Sequence, residues 1–338
     1  MAQRILCFGE LLLRLGSPPR ELLLQTPALQ VHVGGAEANV GIALASLGHA
    51  VGLIGSVADN ALGRHAVGEL RRHGVDTSRL RYAPGRMGLY FLETGALQRP
   101  SEVLYDRAGS AFALTDPAAY DWPQLLAGAD MLHLSGVTPA LGQAAADAAI
   151  AAARAARALG LHVVFDGNYR STLWQAWDGD APALLHALVA CADTVFADHR
   201  DIAIVLRRSF GAADPEQRER EAAEAAFAAF PQLSCIASTR REQHSADHHR
   251  LGARLLRRQH SVHSRPVELA GVVDRIGAGD AFAAGVLHGL LSGLADADCL
   301  DFGLAAACLK HSVPGDFLPF PAARIAAFLG EARLDVRR

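Results

Sequence analysis

The chain has 338 residues, enough for one large α/β domain or two small ones. Hydrophobic residues make up 51% of it and the formal net charge is −3, which excludes a disordered chain and leaves no basic excess to attract nucleic acid or an acidic membrane surface. The five cysteines (Cys7, Cys191, Cys235, Cys299 and Cys308) are scattered and form no C-x-x-C pair, which favours a reducing compartment over a disulfide framework or a structural zinc site.

The N-terminal run "RILCFGELLLRLG" contains Glu10 and Arg14, unlike the unbroken apolar segment of a signal peptide. No stretch reaches the about 18 uncharged apolar residues of a membrane span, so a cytoplasmic protein is expected. "RILCFGE" (4–10) predicts a first strand, residues 10–33 an extended excursion, "EANVGIALASLG" (37–48) a helix ending at Gly48, and "VGLIGSVAD" (51–59) a strand. Residues 85–110 predict two strands around a Gly/Pro turn. Together with 10–33 they form a small separate sheet, suited to cover a cleft. Buried strands are expected at 131–136, 162–168, 193–198 and 233–239, with Ala-rich helices such as 144–160 between them. This rhythm predicts a mainly parallel sheet with helices on both faces. The polar stretches 207–220 and 241–250 read as loops; His244, His248 and His249 lie in the second, where solvation explains them without a metal.

"VVDRIGAGDAFAAG" (272–285) raises the chemical question. "GVV" reads as a strand end and 281–294 as an apolar helix, so Gly277, Ala278 and Gly279 sit at the helix N-terminus. Unpaired N–H groups and a partial positive charge there suit an anion, and glycine lets a phosphate approach closely. Asp280 follows within the first turn, where it can take a proton from an attacking hydroxyl. The plainer reading is a turn with an acidic cap. No G-x-x-x-x-G-K-[ST] occurs, and no G-x-G-x-x-G follows the first strand, which argues against a P-loop or a Rossmann dehydrogenase.

"DRIGAGDAFAAG" and "GGAEANVGIALASLG" (34–48) resemble the C-terminal and N-terminal signatures of ribokinase-like, phosphofructokinase-B type sugar kinases. "YDRAGSA" (105–111), "NYRSTLW" (168–174) and "CLKHSVPGDF" (308–317) are similar to the 2-keto-3-deoxygluconate kinases of that family. The resemblance implies a three-layer α/β/α sandwich with a small antiparallel β lid formed by about 10–33 and 86–110, in one kinase domain spanning 1–338. It implies ATP-dependent phosphorylation of the terminal hydroxyl of 2-keto-3-deoxygluconate, Mg²⁺ as accompanying ion, and a homodimer through the lid.

Carried over residue by residue, the resemblance makes Asp280 the base, and Gly277, Ala278 and Gly279 the anion hole. Gly34, Gly35, Asn39, Tyr90, Tyr105, Arg107, Arg170 and Asp316 would bind the sugar; Asn168, Arg170, Thr239 and Arg240, with Gly277 and Gly279, would bind the nucleotide. Two arginines suit a sugar acid, because a guanidinium pairs with the carboxylate that ribose and fructose lack. Where the family has N-x-x-E, this chain has Asp198 and Asp201, oxygen ligands suited to a hard cation through water, with Asp166 as a further candidate. Lys310, the chain's only lysine, lies in "KHSVPGD" and is a candidate for a site-supporting role. Two other readings stay open: a kinase for another sugar (the galactonate epimer, fructose or ribose), and a sugar-acid sensor without turnover.

Overall fold

The computed structural model describes residues 3–330. Along the chain, β1 (Arg4–Phe8) leads to β2 (Leu12–Gly16), β3 (Gln30–Gly34), α1 (Ala36–Ser46), β4 (Ala50–Ala58) and α2 (Ala61–Arg72). β5 (Leu80–Ala83) precedes the hairpin of β6 (Gly88–Glu93) and β7 (Glu102–Asp106). A single turn, α3 (Trp122–Leu125), enters the alternating part: β8 (Met131–Ser135), α4 (Gln143–Ala158), β9 (His162–Asp166), the short α5 (Ser171–Trp174), α6 (Ala181–Val189), β10 (Thr194–Phe196), α7 (His199–Val205) and α8 (Pro215–Ala229). Four strands follow, β11 (Cys235–Ser245), β12 (His248–Leu256), β13 (Ser261–His263) and β14 (Val267–Ala270), then α9 (Ala278–Leu291), α10 (Asp296–Lys310) and α11 (Ala322–Gly330).

The main sheet has the order β13-β12-β11-β10-β9-β8-β1-β4-β5, with β14 also paired to β12. It is parallel from β5 to β11 and antiparallel beyond. β1 shows why both faces need covering. Ile5 and Cys7 enter the core under α1, α9 and α10, while Leu6 and Phe8 enter the core under α4 and α6. Period-two alternation in a strand apolar at every position requires helices on both sides. The buried alanines of α4, from Ala145 to Ala156, let that helix lie close to the sheet.

The small sheet has the order β3-β2-β6-β7. Its outer pairs are antiparallel, and the central β2–β6 pair is parallel. Register places His32, Arg14, Tyr90 and Tyr105 in one cross-strand row, and Val31, Leu15, Phe91 and Leu104 in the next, on the opposite face.

Three local expectations are corrected. Residues 241–250 are not a loop: β11 and β12 form a long antiparallel hairpin there, exposed enough to carry polar residues on both faces. The stretch 207–220 contains the start of α8, capped by Asp214, whose side chain accepts from the N–H groups of Glu216 and Gln217, with Pro215 in the first turn. "GVV" lies just beyond the last strand, which ends at Ala270.

α9 carries the glycine-rich turn and is held against α10 without side chains between them. A Cβ on Gly285 would lie 2.7 Å from Gly303 Cα, and one on Gly289 would lie 2.8 Å from Cys299 Cα. Gly285→Ala is therefore expected to destabilise by about 1–3 kcal/mol through overpacking. Urea unfolding of the variant beside the native protein measures it; an unchanged midpoint would show that the helices can separate freely.

Candidate active site

A cavity of about 790 Å³ lies between the two sheets, at the C-terminal ends of the parallel strands. Its floor is the start of α9. Gly277 has φ 78°, and a Cβ there would meet the Asp316 carbonyl at 1.9 Å, so both conformation and contact require glycine. The N–H groups of Gly277, Gly279 and Asp280 have no hydrogen-bond partner among the described residues. Ala278 differs from expectation: it is buried away from the cavity, and its N–H donates to the Arg275 carbonyl at 3.3 Å. The unpaired N–H groups at this helix start are therefore those of the two glycines and Asp280.

Asp280 accepts a 2.6 Å hydrogen bond from Asn39 Nδ2. Burial pushes its carboxyl up to about 6, while Asn39 and Arg170 favour the charged form. Asn39 sits in α1, whose first residue is preceded by Gly35 with φ 141°; a Cβ on Gly35 would meet the Glu10 carbonyl at 2.2 Å. Asn39 Oδ1 is buried without a partner and is free to accept from a sugar hydroxyl. Gly34 does not line the cavity. It makes room for Asp316, whose Oδ2 would be 2.3 Å from a Cβ at that position.

Asp316 anchors the small sheet. Tyr90 donates to its Oδ2 at 2.8 Å, and Arg14 Nε lies 3.0 Å from its Oδ1. Arg14, only 2% exposed, also donates to Asp274 Oδ2 at 2.7 Å. Arg107 is buried with Nε on Glu10 Oε2 at 2.7 Å, while Ser110 donates to the other Glu10 oxygen. Tyr90, Tyr105, Arg107 and Asp316 all line the cavity. Arg14, Asp274 and Glu10 were not read as site residues from the sequence; only the charges of Glu10 and Arg14 inside an apolar run hinted at them.

On the main-sheet side, Asp166 ends β9, and Asn168 and Arg170 follow it at the cavity wall. Asn168 holds φ 39° and donates to Ser135 Oγ at 3.0 Å. Burial pushes Asp166 well above the usual carboxylate range, with Asp280 and Asp201 adding to it, and burial with Asp198 raises Asp201 to about 6. Asp198 and Asp201 are also a capping box for α7: Asp198 accepts from Arg200 N–H, and Asp201 accepts from Asp198 N–H at 3.1 Å. The Arg200 side chain grips Asp198, at 2.5 Å, and holds it below the ordinary carboxylate range despite burial. The expected extra negative charge at Asp198 is thus largely matched by its neighbour. Thr239 lines the cavity, but Arg240 does not; it turns out to Glu242 at 3.3 Å, and Arg241 lines the wall instead. Alternation along β11 assigns adjacent residues to opposite faces.

Burial raises Asp166, Asp201 and Asp280, and like charge from Asp280 and Asp201 adds to Asp166; all three offer carboxylate oxygens, which fits a hard divalent cation accompanying a nucleotide. Outside the cavity, His244 and His248 come within 4.8 Å of Glu268 on β14, so a carboxylate does accompany them, contrary to expectation. His248 Nε2 lies 3.4 Å from Glu268, while His249 is buried apart from them. All five cysteines are free and buried. Among the described residues no helix is long and apolar enough to cross a membrane.

The sequence pattern described as pfkB family carbohydrate kinase matches residues 2–323. The chain is 33% identical to the 2-dehydro-3-deoxygalactonokinase of Haloferax volcanii over 94% of its length and 93% of the relative's. It is 30% identical to the 2-dehydro-3-deoxygluconokinase of Thermoproteus tenax, over 97% and 94%. The crystal structure of the 2-dehydro-3-deoxygluconokinase of Thermotoga maritima superposes with a TM-score of 0.91 at 34% identity, covering 97% of this chain and all (100%) of that one. With an acidic residue at a glycine-lined helix start and a cavity closed by a small sheet, the chain belongs to the pfkB family of carbohydrate kinases and is an ATP-dependent phosphotransferase with a ribokinase-like fold.

Proposed function

We propose that this kinase phosphorylates the terminal hydroxyl of 2-keto-3-deoxygluconate (2-dehydro-3-deoxygluconate) to give the 6-phosphate. The observation that carries this reading is that Arg107 and Arg170, from two different segments, line the same cavity as the Asp280 turn. Two guanidinium groups in one cavity with that turn suit a substrate that carries both an anionic group and a reacting hydroxyl. Relatives bearing the gluconate and galactonate names support a keto-deoxy acid, and the 33% identity to a galactonokinase keeps the C4 epimer as a second reading.

In this reading, Asn39 and the Gly35 backbone hold sugar hydroxyls, and Tyr90 and Tyr105 cover the ring from the lid. Asn168, Thr239 and Arg241 face the nucleotide. The terminal oxygen attacks the γ-phosphorus, its bond to the β-bridging oxygen breaks, and ADP leaves. Asp280 takes the hydroxyl proton as the new P–O bond forms. The N–H groups of Gly277 and Gly279 meet the charge on the transferring group. Asp166 and Asp201, with Asp198 at the rim, would hold Mg²⁺ through water, and that ion would neutralise phosphate charge. We also assign the lid's apolar row, with Val31 60% and Leu104 61% exposed, to a homodimer contact, which sedimentation velocity tests. ATP as co-substrate and five unpaired cysteines support a cytoplasmic setting.

ADP release with Mg-ATP should be seen on 2-keto-3-deoxygluconate or its galactonate epimer, and far less on fructose or ribose. Turnover on the neutral sugars alone would defeat the arginine argument. Arg170→Met should raise the KM for the sugar acid by roughly 10–100-fold, without a like change for a neutral sugar.

Asp280→Asn should lower kcat by about 10²–10⁴-fold. With the native carboxyl near 6, activity should fall as pH drops through that value. Asn39→Ala removes a bond to the ionised form, so the acid limb should shift to higher pH.

The same carboxyl gives a stability prediction. Its folded pKa lies above the unfolded value of 3.8, so the unfolded chain binds fewer protons and stability falls as pH rises between about 4 and 6. Asp280→Asn should therefore raise the thermal midpoint of the ligand-free protein by about 2–5 °C at pH 7.5 and little at pH 4. Scanning calorimetry at both values checks this; an equal shift at the two would rule out the titration as its cause.

A further inference from the structure

The side chain of Lys310 is 0% exposed at the C-terminal end of α10. Its Nζ donates to the Val313 carbonyl at 3.1 Å and to the Asp274 carbonyl at 3.4 Å. These carbonyls belong to two loops that meet at Gly277. On one side, Asp274 Oδ1 accepts from the Ile276 N–H at 2.9 Å and so shapes the backbone entering Gly277. On the other, Gly315 N–H donates to Asp274 Oδ2 at 3.0 Å, and the Asp316 carbonyl abuts Gly277. The ammonium therefore lies behind the turn, where burial lowers its pKa and the carboxyl groups of Asp274, Asp316 and Asp280 act the other way and favour its charge. It makes no contact with the cavity itself.

We infer that Lys310 is a positioning residue for phosphoryl transfer: its buried ammonium ties the 274–277 turn to the 313–316 loop and so aims the Gly277 and Gly279 N–H groups and the Asp280 carboxylate. The inference rests on the reading of that turn as the reacting site. Its chemistry explains the residue type. An ammonium is compact and offers three donors in a tetrahedral arrangement, which fits converging carbonyls; a planar guanidinium is larger and does not. Every other Lys/Arg position in the chain is arginine. Removing the charge leaves two carbonyls without their donor and takes from three carboxyl groups a cation that all of them face, and the turn relaxes.

The test compares Lys310→Met, Lys310→Gln and Lys310→Arg with the native kinase and Asp280→Asn, using ADP release on whichever sugar the native enzyme accepts. Lys310→Met should lower kcat by roughly 10–100-fold, with the sugar KM little changed, because no sugar contact is lost. Ammonium or methylammonium chloride at high millimolar concentration should restore part of that kcat and raise the variant's thermal midpoint, whereas sodium chloride should not; the native enzyme should respond to neither. Lys310→Arg should not recover the native rate. Lys310→Gln keeps a donor without the charge and should fold with a reduced kcat.

Native kcat in Lys310→Met or Lys310→Gln would overturn the inference, and so would a loss that ammonium does not relieve in either variant. If neither variant folds even with ammonium, the residue is structural and the inference fails. The two readings separate cleanly: full turnover in Asp280→Asn would refute the reading of the turn, while the ammonium response of Lys310→Met is scored against the native rate in either case.

Discussion

Like charge crowded at the edge of one cavity is the constraint that the rest of the molecule answers. Asp166, Asp201 and Asp280 are each raised first by burial, and a neighbouring carboxylate adds to each: Asp280 and Asp201 to Asp166, Asp198 to Asp201, and Asp316 to Asp280; Glu37, buried behind them, is pushed up to about 7. Such a group is tolerable only if cations are supplied from outside its own elements. Arg170 comes from the segment after β9 and favours the charged form of Asp166, and Arg107 comes from the segment after β7 and does the same for Glu37. The cavity edge thus keeps buried carboxyl groups with raised pKa values beside a limited set of arginines, the pattern expected of a functional site.

The fold serves this arrangement by bringing strand ends together. β1, β8, β9, β10 and β11 are parallel, so the segments that follow them emerge on one side and deliver Glu10, Ser135, Asp166, Asp198 and Thr239 to neighbouring points. α1 and α9 lie side by side beneath the opposite wall, and the bond between Asn39 and Asp280 ties their N-terminal turns. The helix pair α9–α10 is packed backbone to backbone at Gly285 and Gly289, so the glycine turn begins a helix held closely against its neighbour.

Much of this was legible in the sequence, and the parts that were not have a common cause. The parallel strands read well because each is apolar on both faces, and α1 and the 277–280 turn read well because glycine and small residues mark them locally. The far end of the β11–β12 hairpin is hidden in the sequence because its polar residues interrupt the apolar pattern that marks strands. Choosing Arg240 over Arg241 was a one-residue phase error, which alternation turns into the wrong face. Ala278 was counted among the anion-binding residues because three adjacent positions look alike in a row of letters; only helix geometry buries the middle one. Arg14, Glu10 and Asp274 were invisible for another reason. Glu10 pairs with Arg107, 97 positions away, and Arg14 with Asp274, 260 positions away, and no local pattern encodes an ion pair at such separations.

Asp316 is touched by Arg14 of β2, by Gly34 of β3 and by Tyr90 of β6, and its own carbonyl presses on Gly277. The small sheet and the Gly277 backbone therefore share one residue. A change at Asp316 reaches both together, through its side chain on one side and its carbonyl on the other.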